Sequence, residues 1–231
     1  MRLVFVRHGE PDYAHDVLTE TGRLQAKATA ERLKDECIKA IYSSPLGRAS
    51  ETASYTAKQY GLPVQLLDFM PEINWGNPEG DEVLKEGHPW TLGDKMVTEP
   101  DSVNNLFHWR EHPYFKDNLC LEYYDKIAKG IDETVLKPLG FERRGDRYFC
   151  TRHNTDTVAL FSHGGSGGCA LAHVLNLSFA YVVSVMPYGF CSIAVVRFPA
   201  TEGSFIVPKL ELFNDMNHVP GVGEAAYRYE R

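Results

Sequence analysis

Residues 2 to 13 have the sequence RLVFVRHGEPDY. The apolar run Leu3–Val6 lacks the polar and apolar alternation of a half-exposed strand, which indicates a strand buried on both faces of a largely parallel sheet. Arg7 and His8 follow this strand directly, and Gly9 then permits a tight turn. A guanidinium beside an imidazole is an unusual end for a core strand, but it is a suitable start for an anion-binding site.

Similar apolar runs recur along the chain and alternate with helical patterns. Further strands are predicted over residues 40–42, 64–67, 158–161 and 193–196. Helices are predicted to begin at Thr19, at Ser44–Pro45, near residue 122 (ending near 139), and after the glycines at 164–168. The first of these helices is predicted to bury Ala26, Ala30, Leu33 and Cys37 on one face. This order predicts an α/β fold, a three-layer sandwich with a mostly parallel central sheet and helices on both faces.

The 231 residues are enough for one domain with its own core, and we predict a single domain over residues 1–231. Residues 68–119 are rich in Pro, Gly, Asn, His and Trp, show weak periodicity, and are too many for a plain connection. We expect them to be an inserted cap segment over the end of the sheet where open α/β folds bind ligands. A turn-rich stretch, 142–156, predicts a hairpin.

The composition excludes several classes of function. A formal net charge of -7 and a pI near 5.7 argue against a nucleic-acid binder or an anionic-membrane binder. We expect a cytoplasmic protein, because no apolar stretch reaches the roughly 18 residues needed to cross a bilayer and no secretion leader precedes the first strand. The five cysteines include no CxxC pair, which disfavours a disulfide framework and a thiolate zinc site and predicts reduced, mostly buried thiols. The sequence leaves the oligomeric state open.

Two histidines occupy matching positions in the predicted sheet. His8 follows one buried strand and precedes Gly9, and His163 follows another and precedes Gly164. A single histidine is more often a surface residue or a hydrogen-bonded core residue. Because the carboxyl ends of parallel strands meet at one edge, however, we expect both imidazoles at the same edge of the sheet, with glycine backbone close to a ligand.

Two arginines give this edge a preference for phosphate. Arg7 flanks His8, and Arg48 lies in the first turn of the predicted second helix, where free N–H groups also favour an anion. Two guanidinium groups roughly balance a phosphate dianion and match its oxygens in pairs. Structural alternatives remain open, since Arg7 can pair with Glu10 and Arg48 with Glu51.

This set of groups suits phosphoryl transfer, which needs positioning and charge neutralisation. A neutral imidazole can attack phosphorus in line and form a phosphohistidine that water then hydrolyses. An acid must protonate the departing alcohol, and Glu72 is the first candidate, with Glu79 and Asp81 as alternatives. Such an acid needs a raised pKa, which the charge of a bound phosphate promotes.

The motifs also resemble those of a known family. They are, in order, VRHGE (6–10), LTETGRLQA (18–26), SSPLGRASETA (43–53), PEINWGNPEG (71–80) and FSHGG (161–165), with FNDMNHV (213–219) similar to a terminal strand. This ordered set resembles the histidine phosphatase superfamily, the phosphoglycerate mutase-like fold, in its smaller branch. The resemblance implies that His8 is the nucleophile and Glu72 the proton donor, that Arg7, Arg48 and His163 bind phosphate, and that no metal or other cofactor takes part.

Departures from the family pattern guide the choice of activity. Ala14 stands where relatives commonly have a phosphate-pocket asparagine, and Asp12, Tyr13 or His15 can reshape that wall. Gly165–Ser166 replaces the asparagine-serine step of the mutases, and their tyrosine and paired-arginine segment is not found. We therefore favour a phosphomonoester phosphatase acting on a phosphorylated small molecule. A cofactor-dependent phosphoglycerate mutase and a catalytically weak binding domain are the alternatives.

The insertion is rich in rings that have two interpretations. They either line a substrate pocket or form a small hydrophobic subcore under a long loop. The residues are His88, Trp90, His108, Trp109, His112 and Tyr114. The spacing of the three histidines is weak evidence for a metal, so we predict no metal dependence.

Overall fold

The structure is a computed structural model and describes residues 1–220. Its strands are β1 (Arg2–Arg7), β2 (Pro11–Asp12), β3 (Val17–Leu18), β4 (Ile38–Ser43), β5 (Val64–Leu66), β6 (Phe141–Arg144), β7 (Arg147–Cys150), β8 (Thr157–Ser162), β9 (Ile193–Arg197), β10 (Ser204–Ile206) and β11 (Lys209–Asp215). Its helices are α1 (Glu20–Leu33), α2 (Gly47–Tyr60), α3 (Glu82–Glu86), α4 (Pro89–Thr98), α5 (Ser102–Phe107), α6 (Cys120–Gly130), α7 (Gly164–Leu175) and α8 (Phe179–Val185). A π-helical segment, Ile131–Leu136, and a 3-10 turn, Lys137–Leu139, extend α6.

Six strands form the central sheet, in the order β11-β9-β1-β8-β4-β5. The pairs β1–β8, β8–β4 and β4–β5 are parallel, whereas β9 runs antiparallel to both of its neighbours, β1 and β11. The prediction of a mostly parallel sheet is therefore confirmed. The apolar run in β9 did not indicate its direction, because a strand covered on both faces is apolar whichever way it runs.

The two faces of the sheet are covered by different helices, which produces the predicted three layers. On one face Val4 packs in a buried cluster with Leu33 of α1 and Ala53 of α2. On the other face Phe5 belongs to the larger core cluster, which includes Leu171 of α7. Neighbouring residues of β1 thus point to opposite cores, as the pleat of a strand requires.

The start of α1 agrees with the sequence, but the residues after its end do not. Thr19 is the N-cap, and its hydroxyl accepts a hydrogen bond from the N–H of Gly22. The helix ends at Leu33, however, and Cys37 is exposed with φ of 54°. The expectation that Cys37 belongs to the buried face of α1 is wrong, because the chain has already turned toward β4.

Two other predicted helix starts are displaced. Gly47 is the first residue of α2 and Leu46 is its N-cap, so the expected start at Ser44 and Pro45 is wrong. The Ser44 hydroxyl accepts the N–H of Leu46 and also contacts His163. The helix predicted after the glycines at 164–168 contains them, since α7 begins at Gly164.

The segment 68–119 contains three short helices, α3 to α5, and is followed directly by α6. The hairpin predicted in 142–156 is present as β6 and β7, and β10 adds a third strand beside β7. The single domain predicted over 1–231 stays a prediction, and its residues 221–231 lie outside the described part. Within residues 1–220, the helices are too short or too polar to cross a membrane.

Candidate active site

Parallel pairing brings the two strand-histidine junctions together. In the β1–β8 register Arg7 lies opposite Ser162, so the next residues, His8 and His163, emerge side by side at the carboxyl edge of the sheet. Their ring centroids are 5.1 Å apart. The backbone continues the pairing for one step, because the N–H of His8 donates to the carbonyl of Ser162 at 2.9 Å. The sheet itself therefore fixes the distance between the two rings.

His8 is held in the state that a nucleophile requires. Its side chain is buried, with 1% of the residue exposed, and Nδ1 lies 2.7 Å from the carbonyl oxygen of Gly9. A carbonyl only accepts, so Nδ1 carries the proton and Nε2 has the lone pair. Burial, followed by the charge of Arg7, lowers the pKa of His8 to about 3. The imidazole is therefore neutral at pH 7.

His163 differs from His8 in which ring nitrogen is bonded. Its Nε2 lies 2.7 Å from the hydroxyl of Ser44, and that hydroxyl also accepts the N–H of Leu46. Within residues 1–220, the buried Nδ1 has no hydrogen-bond partner. Burial, His8 and the two arginines lower the pKa of His163 to about 2. When Ser44 donates to Nε2, Nδ1 carries the proton and can donate it to an anion.

Arg7 is positioned by the segment that precedes β9. Its Nη1 donates to the carbonyl of Tyr188 at 2.6 Å, and its guanidinium carbon lies 4.3 Å from the centroid of the Phe190 ring. Its Nε is buried and has no hydrogen-bond partner among the described residues. A buried N–H without a partner is costly, so this atom is suited to bind an incoming acceptor.

Arg48 is positioned by Asp16. Its Nη1 donates to Oδ1 of Asp16 at 2.5 Å, and Oδ2 accepts the N–H of Gly47, the first residue of α2, at 2.6 Å. Burial acts to raise the pKa of Asp16, but these hydrogen bonds outweigh it and hold that pKa below its ordinary value. Like Arg7, Arg48 has a buried Nε without a partner in residues 1–220.

The two structural alternatives for the arginines are not formed. Glu10 accepts a hydrogen bond from the Thr19 hydroxyl at 2.7 Å. Glu51 pairs with Arg23, also at 2.7 Å, and accepts the N–H of Leu18. Arg7 and Arg48 thus keep donors for a ligand, and the structure brings them close to both histidines, whose pKa values they help to lower.

Glu72 lies at the N-terminus of α7. Its Oε1 accepts the N–H groups of Ile73, Gly165 and Ser166, each at 3.0 Å. Its Oε2 has one longer contact, 3.3 Å, to the N–H of Gly165. The less occupied Oε2 is the oxygen that can carry and deliver a proton. The alternative acids Glu79 and Asp81 are exposed and do not line the cavity described next.

A cavity of about 730 Å³ opens beside these groups. At one end it is lined by Arg7, Glu72 and Gly164. The insertion contributes Trp75, His88, Trp90, Thr91 and Asp94, and α7, α8 and the residues that follow α8 contribute Leu171, Val182, Val183, Met186 and Pro187. The site therefore has a polar end at the sheet edge and a larger, mostly apolar chamber beyond it.

Comparison with known proteins identifies the family. A model of the histidine phosphatase superfamily, branch 1, matches residues 3–103. Phosphoserine phosphatase 1 of Hydrogenobacter thermophilus is 30% identical over 175 residues, which cover 71% of this chain and 71% of that protein. The chain belongs to the histidine phosphatase superfamily. The predicted family is thus confirmed.

Other members of the superfamily match over different lengths. A Photorhabdus laumondii protein named "Probable phosphoglycerate mutase GpmB" is 33% identical over 102 residues, 39% of this chain and 47% of that protein. The chain thus spans about half the length of that relative. The structure of mycobacterial glucosyl-3-phosphoglycerate phosphatase in complex with VO3 has a TM-score of 0.62 and 22% identity, covering 92% of this chain and 98% of that one. This likeness confirms the predicted fold, and the name of the Hydrogenobacter thermophilus relative supports the predicted phosphatase class.

The glycines predicted to bind substrate lie where backbone comes close to the site. A Cβ on Gly9 would stand 2.7 Å from the carbonyl oxygen of Gly22, so only glycine fits against α1. A Cβ on Gly164 would stand 3.5 Å from the guanidinium carbon of Arg7 and 3.6 Å from the Trp90 ring. Gly164 therefore lines the cavity, whereas Gly9 supports the loop that carries His8.

The rings of the insertion divide between the two interpretations. His88 and Trp90 line the cavity. Trp109 packs in the core against Phe115, with ring centroids 5.6 Å apart. The remaining three do not line the cavity: His112 and Tyr114 contact Glu99, and His108 is exposed.

Three further residues of the site are not among those predicted from the sequence. Asp16 holds Arg48 from the loop in which Ala14 departs from the family pattern, and Tyr13 of that loop lines the cavity. Ser44 follows a buried strand directly, as His8 and His163 do, and this shared position is the signal that could have identified it. Trp75 belongs to the same motif as Glu72 and lines the cavity.

No three histidine, cysteine, aspartate or glutamate side chains of residues 1–220 come together as a metal-binding group. Among the described residues, the unpartnered buried nitrogens at the site are Nε of Arg7, Nε of Arg48 and Nδ1 of His163, which suit an anion as N–H donors.

Proposed function

We propose that the chain hydrolyses phosphomonoesters through a phosphohistidine on His8, without a metal. One observation carries the proposal: two neutral imidazoles lie 5.1 Å apart at the sheet edge, beside two arginines with unoccupied buried Nε atoms. Guanidinium N–H groups and Nδ1 of His163 would hold the oxygens of the phosphoryl group, where negative charge accumulates in the transition state.

The reaction has two displacements. Nε2 of His8 attacks phosphorus as the bond to the ester oxygen breaks, and Glu72 delivers its proton to the departing alkoxide. Water then loses a proton to the Glu72 carboxylate and attacks phosphorus, the P–N bond breaks, and phosphate leaves. The neutral state of His8, favoured by its lowered pKa, keeps Nε2 available for the first step.

A phosphatase is favoured over a mutase by the charges around the cavity. Names of relatives include both activities. A phosphoglycerate mutase must hold a carboxylate in addition to the phosphoryl group, which needs further cationic groups. Arg48, His8 and His163 belong to the phosphate site but not to the lining of the cavity beside it. Within residues 1–220, Arg7 is the one lysine or arginine of that lining, so the cavity beyond the phosphate site adds no further cation.

The decisive experiment measures turnover of p-nitrophenyl phosphate in EDTA, followed by trapping of the intermediate. We expect turnover in the chelator, loss of turnover in His8→Ala, and ³²P label on His8 after an alkaline quench. His108→Ala, at an exposed position outside the site, is the matched control and should keep full activity. Rapid phosphoglycerate isomerisation without hydrolysis would overturn the phosphatase, and activity lost in chelator but restored by zinc would overturn metal independence.

A further inference from the structure

The polar end of the cavity, lined by Arg7, Glu72 and Gly164, is called the phosphate end here. The chamber beyond it is much larger than a phosphoryl group. Its volume of about 730 Å³ falls within the roughly 300–1,000 Å³ typical of pockets for organic ligands of drug size. A substrate with a small leaving group would leave most of this space to water. The volume therefore favours a large leaving group.

One wall of the chamber consists of three rings in mutual contact. His88 stacks on Trp90 with ring centroids 4.9 Å apart and an interplanar angle of 28°. Trp75 meets both edge-on, with centroids 4.9 Å from His88 and 6.0 Å from Trp90. Each ring is held by the other two, so the wall offers a preformed surface for another flat ring. We call Trp75, His88 and Trp90 the aromatic wall.

The aromatic wall is directly connected to the phosphate end. The point where a Cβ of Gly164 would stand is 3.6 Å from Cζ2 of Trp90 and 3.5 Å from the guanidinium carbon of Arg7. Gly164 is also the first residue of α7, whose N-terminus binds Glu72. A leaving group whose ester oxygen faces Glu72 would therefore lie beside Trp90.

The charges of the chamber disfavour a second anionic group. Among the described lining residues, Arg7 is the one arginine or lysine, and it belongs to the phosphate end. The acidic groups are Glu72 and the exposed Asp94 of α4. Burial lowers the pKa of His88, so this ring supplies no cation at neutral pH. A carboxylate or second phosphate on the leaving group would lose water without gaining a cationic partner from these lining residues.

We propose that the aromatic wall and Asp94 form a leaving-group subsite that selects phosphomonoesters of flat aromatic alcohols carrying no second negative charge. The inference rests on the proposed phosphatase function and adds a substrate class to it. Apolar side chains, among them Leu171, Val182 and Met186, line the same cavity and supply further apolar surface for the bound ring.

The first test compares substrates of equal size and different charge. 4-Carbamoylphenyl phosphate and 4-carboxyphenyl phosphate differ in one charged group at nearly constant shape. We expect kcat/KM at least tenfold higher for the neutral compound, and a smaller ratio in Asp94→Asn, which removes the repelling carboxylate. Asp101→Asn, exposed on the same insertion and outside the cavity lining, is the control and should keep the wild-type ratio.

The second test removes the aromatic wall. Trp90→Ala should lower kcat/KM for 2-naphthyl phosphate about tenfold, mainly through KM, while phosphoserine, too small to reach over the aromatic wall, changes little. Trp90→Phe keeps a ring and should retain most of the kcat/KM for 2-naphthyl phosphate. This variant keeps the test valid if Trp90→Ala folds poorly. Phe107→Ala, with Phe107 82% exposed on α5, is the control and should match the wild type.

The outcomes separate this inference from the proposed function. Equal rates for the carbamoyl and carboxy compounds, or equal losses for naphthyl phosphate and phosphoserine in Trp90→Ala, would overturn the subsite while phosphatase activity stands. No turnover of any substrate would overturn the proposed function. In that case the affinity of each compound, measured by quenching of tryptophan fluorescence, tests the subsite. The subsite requires that the wild type binds 2-naphthyl phosphate more tightly than 4-carboxyphenyl phosphate, and that Trp90→Ala binds 2-naphthyl phosphate more weakly than the wild type does.

Discussion

Glu72, the proposed proton donor, also bonds the backbone at the start of α7, and its two oxygens are used unequally. Oε1 accepts three backbone N–H groups, whereas Oε2 has one contact at 3.3 Å. Glu72→Gln keeps an oxygen for the N–H groups but cannot deliver a proton. We expect kcat/KM for an alkyl phosphate to fall by about 10²–10³, and that for p-nitrophenyl phosphate, whose leaving group needs no acid, to fall far less.

The matched control for this substitution is Glu79→Gln, in the same segment but exposed and outside the cavity lining. It should leave both substrates unaffected. A loss of the same size on both substrates in Glu72→Gln would assign Glu72 a purely structural role at the start of α7.

At the residue scale, the sequence predicts groups whose position follows from a strand end. His8 and His163 each come one residue after a buried strand, so the parallel register alone brings them together. Asp16 could not be found this way. Asp16 lies in a loop, has a φ of 52° and contacts Arg48. Nothing in the residues next to Asp16 indicates which guanidinium group it will contact.

At the element scale, α1 packs its first turn against the loop that follows the proposed nucleophile. A Cβ on Gly22 would stand 2.1 Å from the carbonyl oxygen of Glu10, a contact that only a backbone shift can relieve. Gly22→Ala should therefore destabilise the protein by about 1–3 kcal/mol, although alanine is the better helix former by about 1 kcal/mol. Urea denaturation measures the stability, and kcat/KM should fall with it because Glu10 lies two residues from His8.

Gly168→Ala, in the middle of α7, controls for helix propensity. Its added methyl group would lie 3.7 Å from the side chain of Phe179, which is an ordinary van der Waals separation. We expect this variant to be as stable as the wild type or more stable. A stabilised Gly22→Ala would show that the contact with Glu10 yields at no cost.

A capping side chain predicted one helix start correctly and another incorrectly. Thr19 caps α1 as its sequence indicates. Ser44 has the same local signal, but its hydroxyl lies 2.7 Å from Nε2 of His163, and α2 begins three residues later at Gly47. The hydroxyl also accepts the N–H of Leu46, the residue before α2. Local sequence carries no information about the second contact, which is with a residue far along the chain.

At the scale of the whole molecule, periodicity predicted the layers because burial on two faces produces apolar strands and one-sided helices. The direction of β9 and the position of β11 beside it depend on how the chain returns to the sheet, which hydrophobic patterns do not record. The insertion was recognised by its length and composition. Which of its rings enter the cavity was not predictable, since Trp90 and Trp109 are similar in sequence context but pack on different partners.

The buried histidine pair makes the stability of the whole protein depend on pH. In an unfolded chain histidine has a pKa of about 6.5, whereas in the fold the pKa of His8 is about 3 and that of His163 about 2. Between these values the unfolded chain binds more protons, so the free energy of unfolding decreases as pH falls from about 6.5 toward 3, by up to about 1.4 kcal/mol per pH unit for each histidine. Urea denaturation between pH 4 and 7, in buffers without phosphate, measures this slope.

Replacing His163 by asparagine should make the slope shallower by up to about 1.4 kcal/mol per pH unit. The control His108→Asn, at an exposed position outside the site, should keep the wild-type slope. Parallel lines for His163→Asn and the wild type would mean that His163 takes up its proton in the folded protein as readily as in the unfolded chain, and so cannot be the neutral donor that the phosphate site requires.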